Sequence, residues 1–394
     1  MAQAISSCVH CGFCLPACPT YRVLGEEMDS PRGRILLMKQ ALEGTLAIDE
    51  AMPYVDRCLG CLACETACPS GVRYRELVVP FRAHMQHKAE SRQARLMRQL
   101  LLITLESPDR FRLAARLGQA ARRMSGLLPA SMRVLLKLLP PGLPDPIALP
   151  EFIPANGPRR ARVALLSGCV QRVLRPSINA ASARLLAANG VEIVIPPEQG
   201  CCGALAQHSG LKGRADALAA HNRQVFPRDV DAIITTAAGC GSTMQDDGAL
   251  PAPARDVAEF LDDLGLRTPL ALQSDTIVAY QDACHLAHGQ GVRAAPRRLL
   301  RQVQGLTLRD LTDADLCCGS AGLYNLEHPQ TAATLGRRKA DAVRATGAAI
   351  VVSGNIGCMA QLESHLAGDN PPVAVRHTLE LLDSAYSAPN THGS

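Results

Sequence analysis

The chain has 394 residues, a net charge of +5 and 47% hydrophobic content, with 3% aromatic residues and no Trp. That describes a soluble globular protein of two or three domains with aliphatic cores, which suits α or α/β architecture. The basic residues form no single-sign block, so nucleic-acid binding has no footprint. No run approaches the roughly 18 apolar residues of a membrane span, and the start "MAQAISSCVHCGFC" lacks a secretion-signal core. The expected location is the reducing cytoplasm, where sixteen cysteines point to metal ligands or redox centres before disulfides.

Residues 1–88 carry two runs of the form C-x2-C-x2-C-x3-C-P: Cys8, Cys11, Cys14 and Cys18 before Pro19, and Cys58, Cys61, Cys64 and Cys68 before Pro69. In such a run three thiolates wrap one corner of a cubane, and the fourth serves the cubane of the other run. The predicted ligand sets are Cys8, Cys11, Cys14 and Cys68 for one [4Fe-4S] cluster, and Cys58, Cys61, Cys64 and Cys18 for the other. Paired zinc knuckles would have no use for the repeated proline-terminated run. Between the runs, "SPRGRILLMKQALEG" predicts a helix capped by Ser30 with Pro31 in its first turn. His10 fills space or donates to sulfur.

Residues 89–158 form a connector. "RQARLMRQLLLITL", "FRLAARLGQAARRMSGLL" and "SMRVLLKLL" predict basic, partly apolar helices, read either as a collar on neighbouring domains or as a seat on an anionic membrane surface. Seven prolines between positions 140 and 158 predict an extended linker and a domain boundary.

Two copies of one unit follow, at 159–272 and 273–394. Each reads strand, lone cysteine, helix, strand, Cys-Cys-Gly, helix, strand and last cysteine. In the first, 31 residues separate Cys169 from the doublet Cys201–Cys202, and in the second, 32 separate Cys284 from Cys317–Cys318; gaps of 37 and 39 residues lead to Cys240 and Cys358. Alternating strands and helices predict small parallel sheets, and ligands of open α/β sheets gather at strand carboxyl ends. The lone cysteines are predicted where strands end, so each copy gathers four sulfurs. The doublet glycine is expected to free the backbone to bend around a cofactor.

The stretches "CVHCGFC", "CPTY", "SPRGR", "CETACPSGVRY", "GCCGA", "TAAGCG", "DLCCGSAGLY" and "NIGC" resemble the iron-sulfur subunit of bacterial glycolate oxidase over the whole chain. More distantly, the second half is similar to the cysteine-rich CCG domains of heterodisulfide reductase. The layout also resembles the iron-sulfur component of anaerobic glycerol-3-phosphate dehydrogenase and lactate-utilisation proteins. The reductase pattern has a fifth cysteine per copy for a noncubane cluster, and here those positions are Thr243 and Gln361. The four remaining thiolates per copy suit an iron-sulfur cluster, a zinc ion or dithiol cycling.

With no flavin or nicotinamide fingerprint, the chain is read as an electron wire. "GQGVRA" at 289–294 lacks the third glycine of a dinucleotide motif and is read as the start of a helix. The resemblance implies FAD-containing partner subunits that oxidise glycolate to glyoxylate, and a quinone or other respiratory acceptor. The alternatives are a subunit of a related lactate or glycerol-3-phosphate dehydrogenase, a disulfide or quinone reductase in its own right, and a zinc-stabilised interaction protein. His208 and His285 are candidates for hydrogen bonds to a cluster or for proton transfer. Arg376 and His377 are read as a solvated helix face or as contacts to an acidic partner.

Overall fold

The computed structural model describes residues 1–89, 92–122, 139–267 and 269–387, with residues 126, 133 and 136 between them. Most of the third expected connector helix, 131–139, lies outside the described residues.

The N-terminal unit is helical. The helix Pro31–Glu43 begins as predicted: Ser30 Oγ accepts from the Gly33 amide at 3.0 Å, and Pro31 occupies the first turn. Gly33 is dictated by contact, since a Cβ there would lie 2.1 Å from the Glu27 carbonyl oxygen. The helices Ile48–Asp56 and Arg75–Ala89 pack together and bury Met52, Val55, Leu77 and Phe81 against Met38. The connector supplies an antiparallel pair, Arg92–Leu105 and Pro108–Ala121.

The two copies adopt one topology. In the first, β2 (Ala161–Leu165), β3 (Val191–Val194), β4 (Ala232–Thr235) and β5 (Ala254–Asp256) are parallel in the order β3-β2-β4-β5. In the second, β6 (Leu270–Tyr280), β7 (Val303–Asp310), β8 (Ile350–Ser353) and β9 (Ala374–His377) are parallel in the equivalent order β7-β6-β8-β9. The short β1 (Phe152–Ile153), inside the predicted linker, adds antiparallel to β3. The boundary expected at 272 falls within β6.

The copies embrace. The first long helix of copy one, Pro176–Ala188, packs on the last helix of copy two, Thr378–Ser387. Reciprocally, Val257–Leu264 of copy one packs on Ala294–Arg301 of copy two. Each seam carries one Arg–Asp pair at matching places, Arg184 with Asp383 and Arg298 with Asp262. A single apolar core joins both sheets, with Leu165, Ile193 and Ile234 in the same cluster as Val278, Tyr280 and Val352.

Three local expectations change. Cys240 and Cys358 do not end strands; each lies in the first turn of the next helix, Ala238–Asp247 or Ile356–Leu366. Glycines stand before both cysteines, Gly239 in the first run and Gly354 and Gly357 in the second, a break that the strand reading passed over. "GQGVRA" forms the end of a π-turn and a short loop, and the helix itself begins at Ala294. His377 is no solvated helix residue. It sits on β9 beside exposed Arg376, and the two-residue period of a strand turns it inward to 1% exposure.

Candidate iron-sulfur sites and the cavity between the repeats

The two ferredoxin runs adopt the same loop. His10 and Gly60, each just before the second cysteine of its run, have φ of +53° and +64°. Gly12 and Leu62, each just after it, have φ of +88° and +64°. Left-handed residues at matching places curl the backbone into a concave loop with amides turned inward, the form that holds an anionic group. Two of the resulting amide contacts run to sulfur: Gly60 N to Cys58 Sγ and Val72 N to Cys68 Sγ, both 3.4 Å.

Two small cavities lie among the ferredoxin sulfurs. One is walled by Cys8, Cys11, Cys14 and Cys68, the other by Cys18, Cys58 and Cys61, and Cys64 borders both. Among the described residues no three Cys, His, Asp or Glu side chains converge as a single-ion cage would require. Thiolates lining a cavity are the donor set that an iron-sulfur cluster takes. Tyr74 borders both cavities with its hydroxyl buried beside the Cys58 sulfur. The residues therefore fit two [4Fe-4S] clusters.

The surroundings of the two cavities differ. At the first, Cys11, Val9 and Phe13 are exposed, and burial raises the Cys14 thiol to about 11. His10 is exposed and contributes its carbonyl, which accepts from Arg32 at 2.9 Å. At the second lies a fully buried cation that sequence reading missed. Arg34 donates to Tyr54 O at 2.6 Å, to Asp29 Oδ1 at 3.0 Å and toward Cys18 Sγ at 3.8 Å. Arg82 donates to Val55 O at 2.7 Å and also bonds the Cys58 carbonyl. Burial opposes ionisation of Cys58, but Arg34, Arg82, the Gly60 amide and the Tyr74 hydroxyl together outweigh it and lower its pKa. Cys61 and Cys64 are pushed up by burial and neighbouring thiolates. The available signal was two arginines spaced along otherwise apolar helix faces.

Each doublet unit brings its four cysteines into a chain of contacts. In copy one Cys169 donates to Cys201 at 3.4 Å, and Cys201, Cys202 and Cys240 continue the chain. In copy two Cys284 and Cys317 are 4.0 Å apart, and Cys318 and Cys358 follow. Sulfur donors hold one thiolate in each set: Cys169 and Cys202 lower Cys201, while Cys317 and Cys358 lower Cys318. The doublet glycines, Gly203 and Gly319, have φ of +86° and +89°. A Cβ on Gly319 would come within 2.7 Å of the Ala332 carbonyl oxygen. Glycine is therefore needed for a left-handed turn pressed against the following helix.

Between the copies lies a cavity of about 270 Å³. All four sulfurs of copy one border it, as does Cys284 of copy two, and Leu59, Leu105 and Phe111 wall it from the ferredoxin unit and connector. His208 and His285 meet edge to face there, ring centres 4.9 Å apart. Burial lowers them to about 4 and about 3, so both are neutral, and His285 Nδ1 has no partner.

The comparisons with known proteins agree with this architecture. A model described as "4Fe-4S dicluster domain" matches residues 4–72, and one described as "Cysteine-rich domain" matches 163–245 and 278–363. The "Probable glycolate oxidase iron-sulfur subunit" of Bacillus subtilis (strain 168) is 38% identical, covering 95% of this chain and 93% of that protein. The "Glycolate oxidase iron-sulfur subunit" of Escherichia coli (strain K12) is 36% identical, covering 97% and 94%. This chain belongs to the glycolate oxidase iron-sulfur subunit family. Further away, a subunit of the "Fumarate reductase (CoM/CoB)" of Methanothermobacter marburgensis is 27% identical over 98% of this chain and 73% of that protein.

Within this family chain, the two positions that interrupt the five-cysteine pattern have other work. Gln361 is buried and its amide donates to Ala332 O at 2.9 Å, tying two helices together. Thr243 lies half-buried on the helix that carries Cys240. An iron-sulfur subunit of this family also needs its parts in register, and the ferredoxin unit is fastened mainly to copy two. Arg22 pairs with Asp313 at 2.6 Å, Thr66 meets His288 at 2.9 Å, and the Tyr324 hydroxyl donates to Arg57 O at 3.0 Å.

Proposed function

We propose that this chain carries electrons singly from an FAD-containing subunit that oxidises glycolate to glyoxylate toward a quinone or another respiratory acceptor, within a hetero-oligomeric complex. When bound, two [4Fe-4S] clusters would each accept and release one electron, which divides the two-electron output of a flavin. Cys8, Cys11, Cys14 and Cys68 would hold the first, and Cys18, Cys58, Cys61 and Cys64 the second.

The observation that carries this reading is continuity. Leu59 and Cys61 of the second run share an apolar cluster with Leu316 and Cys317, and Cys284 lies close enough to oppose ionisation of Cys61. From Cys284 the inter-repeat cavity leads to Cys169, Cys201, Cys202 and Cys240. Cys11, Val9 and Phe13, exposed at the opposite end, offer the donor an approach. Neutral His208 and His285 leave no imidazolium beside the second run.

Cys61→Ser in the anaerobically purified complex tests it. The expected result is loss of about four irons and of acceptor reduction, with glycolate still bleaching the flavin once. Full turnover by this variant would end the wire model. Iron analysis of the wild type addresses the doublets: about eight irons mean that only the ferredoxin cysteines are loaded, and about twelve or more put clusters in the repeats.

A further inference from the structure

The connector pair Arg92–Leu105 and Pro108–Ala121 is apolar on two sides. Its inner side is core, with Leu102, Phe111 and Ala115 buried and with Leu105 and Phe111 reaching the cavity wall. Leu96, Met97 and Leu100 on the first helix and Leu113 and Leu117 on the second point the other way, and are between 51% and 63% exposed. Among the described large hydrophobic residues only Val9 and Phe13 are more exposed. An apolar stripe on a helix normally faces a partner, and among the described residues nothing covers this second one.

Charge identifies the occupant. Residues 92–122 hold seven arginines against two acids, Glu106 and Asp109, and Glu106 is buried against Arg214 at 2.6 Å. Arg92, Arg110 and Arg116 are exposed around the leucines. We propose that this helix pair seats the protein on an anionic bilayer, with the five exposed apolar side chains at the headgroup–acyl boundary and the arginines on lipid phosphates. Leu is under-represented among the residues that anchor protein interfaces, and four of the five exposed side chains are Leu. No described helix is long and apolar enough to cross a membrane, so the seat is interfacial. The cavity then lies about one helix diameter, ~10 Å, from lipid. The seat holds whatever the acceptor is.

Flotation of the purified complex with vesicles of phosphatidylcholine, with and without phosphatidylglycerol, tests this. The wild type is expected to float with the anionic vesicles and to be released by salt. The variant L96Q/L100Q/L113Q/L117Q should bind at least about tenfold more weakly while keeping its iron, its partner subunits and turnover with a soluble dye. R92Q/R110Q/R116Q should weaken binding about fivefold per arginine on anionic vesicles and change nothing on neutral ones. Undiminished flotation of the leucine variant, failure of the wild type to float, or loss of partner subunits in place of lipid would each overturn the proposal. A second measurement uses the absence of Trp from the chain: in the isolated full chain, Leu100→Trp should shift its emission to the blue on anionic vesicles, and an unshifted spectrum contradicts the seat. Dye-linked turnover separates this outcome from failure of the electron-wire reading.

Discussion

The two repeats share a topology and differ in what they face. Copy two is the enclosed one: Cys317, Cys318 and Cys358 are each 1% exposed, and the ferredoxin unit lies against it through Arg22, Thr66 and Arg57. The buried Lys339 ammonium, bonded to the Asp313 and Ala314 carbonyls, stands near Cys318 and favours its thiolate. Copy one is the open one: each copy has one half-buried cysteine, Cys240 or Cys284, but all four sulfurs of copy one line the cavity and only Cys284 of copy two does. Duplication thus produced two similar sulfur sets, and docking of a third unit on one of them gave them different neighbours. Under the proposed electron path the difference orders them, copy two next to the ferredoxin unit and copy one beyond it across the cavity.

The largest expected effect tests that order. Cys318→Ser should reduce turnover more than about 100-fold with every acceptor, because nothing beyond copy two is then reached. Cys202→Ser should do so with the physiological acceptor only, leaving reduction of a small dye at copy two. Equal behaviour of the two variants in the dye assay would erase the order. The doublet glycines come next. Gly319→Ala combines a left-handed backbone with a Cβ 2.7 Å from a carbonyl oxygen, whereas the nearest atom at Gly203 is 3.3 Å away. Gly319→Ala should cost about 4 kcal/mol and Gly203→Ala about half of that, read from urea midpoints.

Acid distinguishes the copies at equivalent places, the ends of β5 and β9. Burial holds His377 at about 4, below its ordinary 6.5; its Nε2 donates to Thr236 O at 2.9 Å while Nδ1 accepts from Leu379 N at 3.2 Å. The unfolded chain binds this proton first, so stability falls as pH drops from about 6.5 to about 4, by roughly 3 kcal/mol. Asp256 is raised by burial to about 7 from 3.8. Here the folded chain keeps the proton longer, so stability falls as pH rises from about 4 to about 7. The slopes oppose one another in wild type. His377→Gln should expose the Asp256 slope and Asp256→Asn the His377 slope; unchanged pH profiles would contradict both assignments. The smallest effect is expected at the fifth-cysteine positions. Gln361→Ala should cost about 1 kcal/mol and Thr243→Ala less, and neither should change the iron content.

Much of this was legible in the chain. Ser30 and Pro31 start their helix where the residues say, because a cap acts over a few bonds. The doublet units were legible through their repeated element order. Other features were not. Arg34, in "SPRGR", reads as an ordinary helix residue until Asp29, Tyr54 and Cys18 surround it. His377 looks like part of a terminal helix until β9 pairs with β8 and turns it into the seam. The last cysteines lie in helices because the strands end at Thr235 and Ser353, before the glycines that precede each cysteine.

The amino-acid sequence by itself determined which sulfurs exist, how they are spaced and that the sulfur-bearing unit occurs twice. Those are matters of spacing, hydrophobic period and local backbone geometry. Only the tertiary structure decided that the copies embrace through exchanged helices, that Cys61 meets Cys284 across most of the chain, and that a cavity walled by the connector joins the two sets. Such contacts depend on which apolar faces cover one another, and many pairings of similar faces satisfy the same local pattern until the whole core is packed.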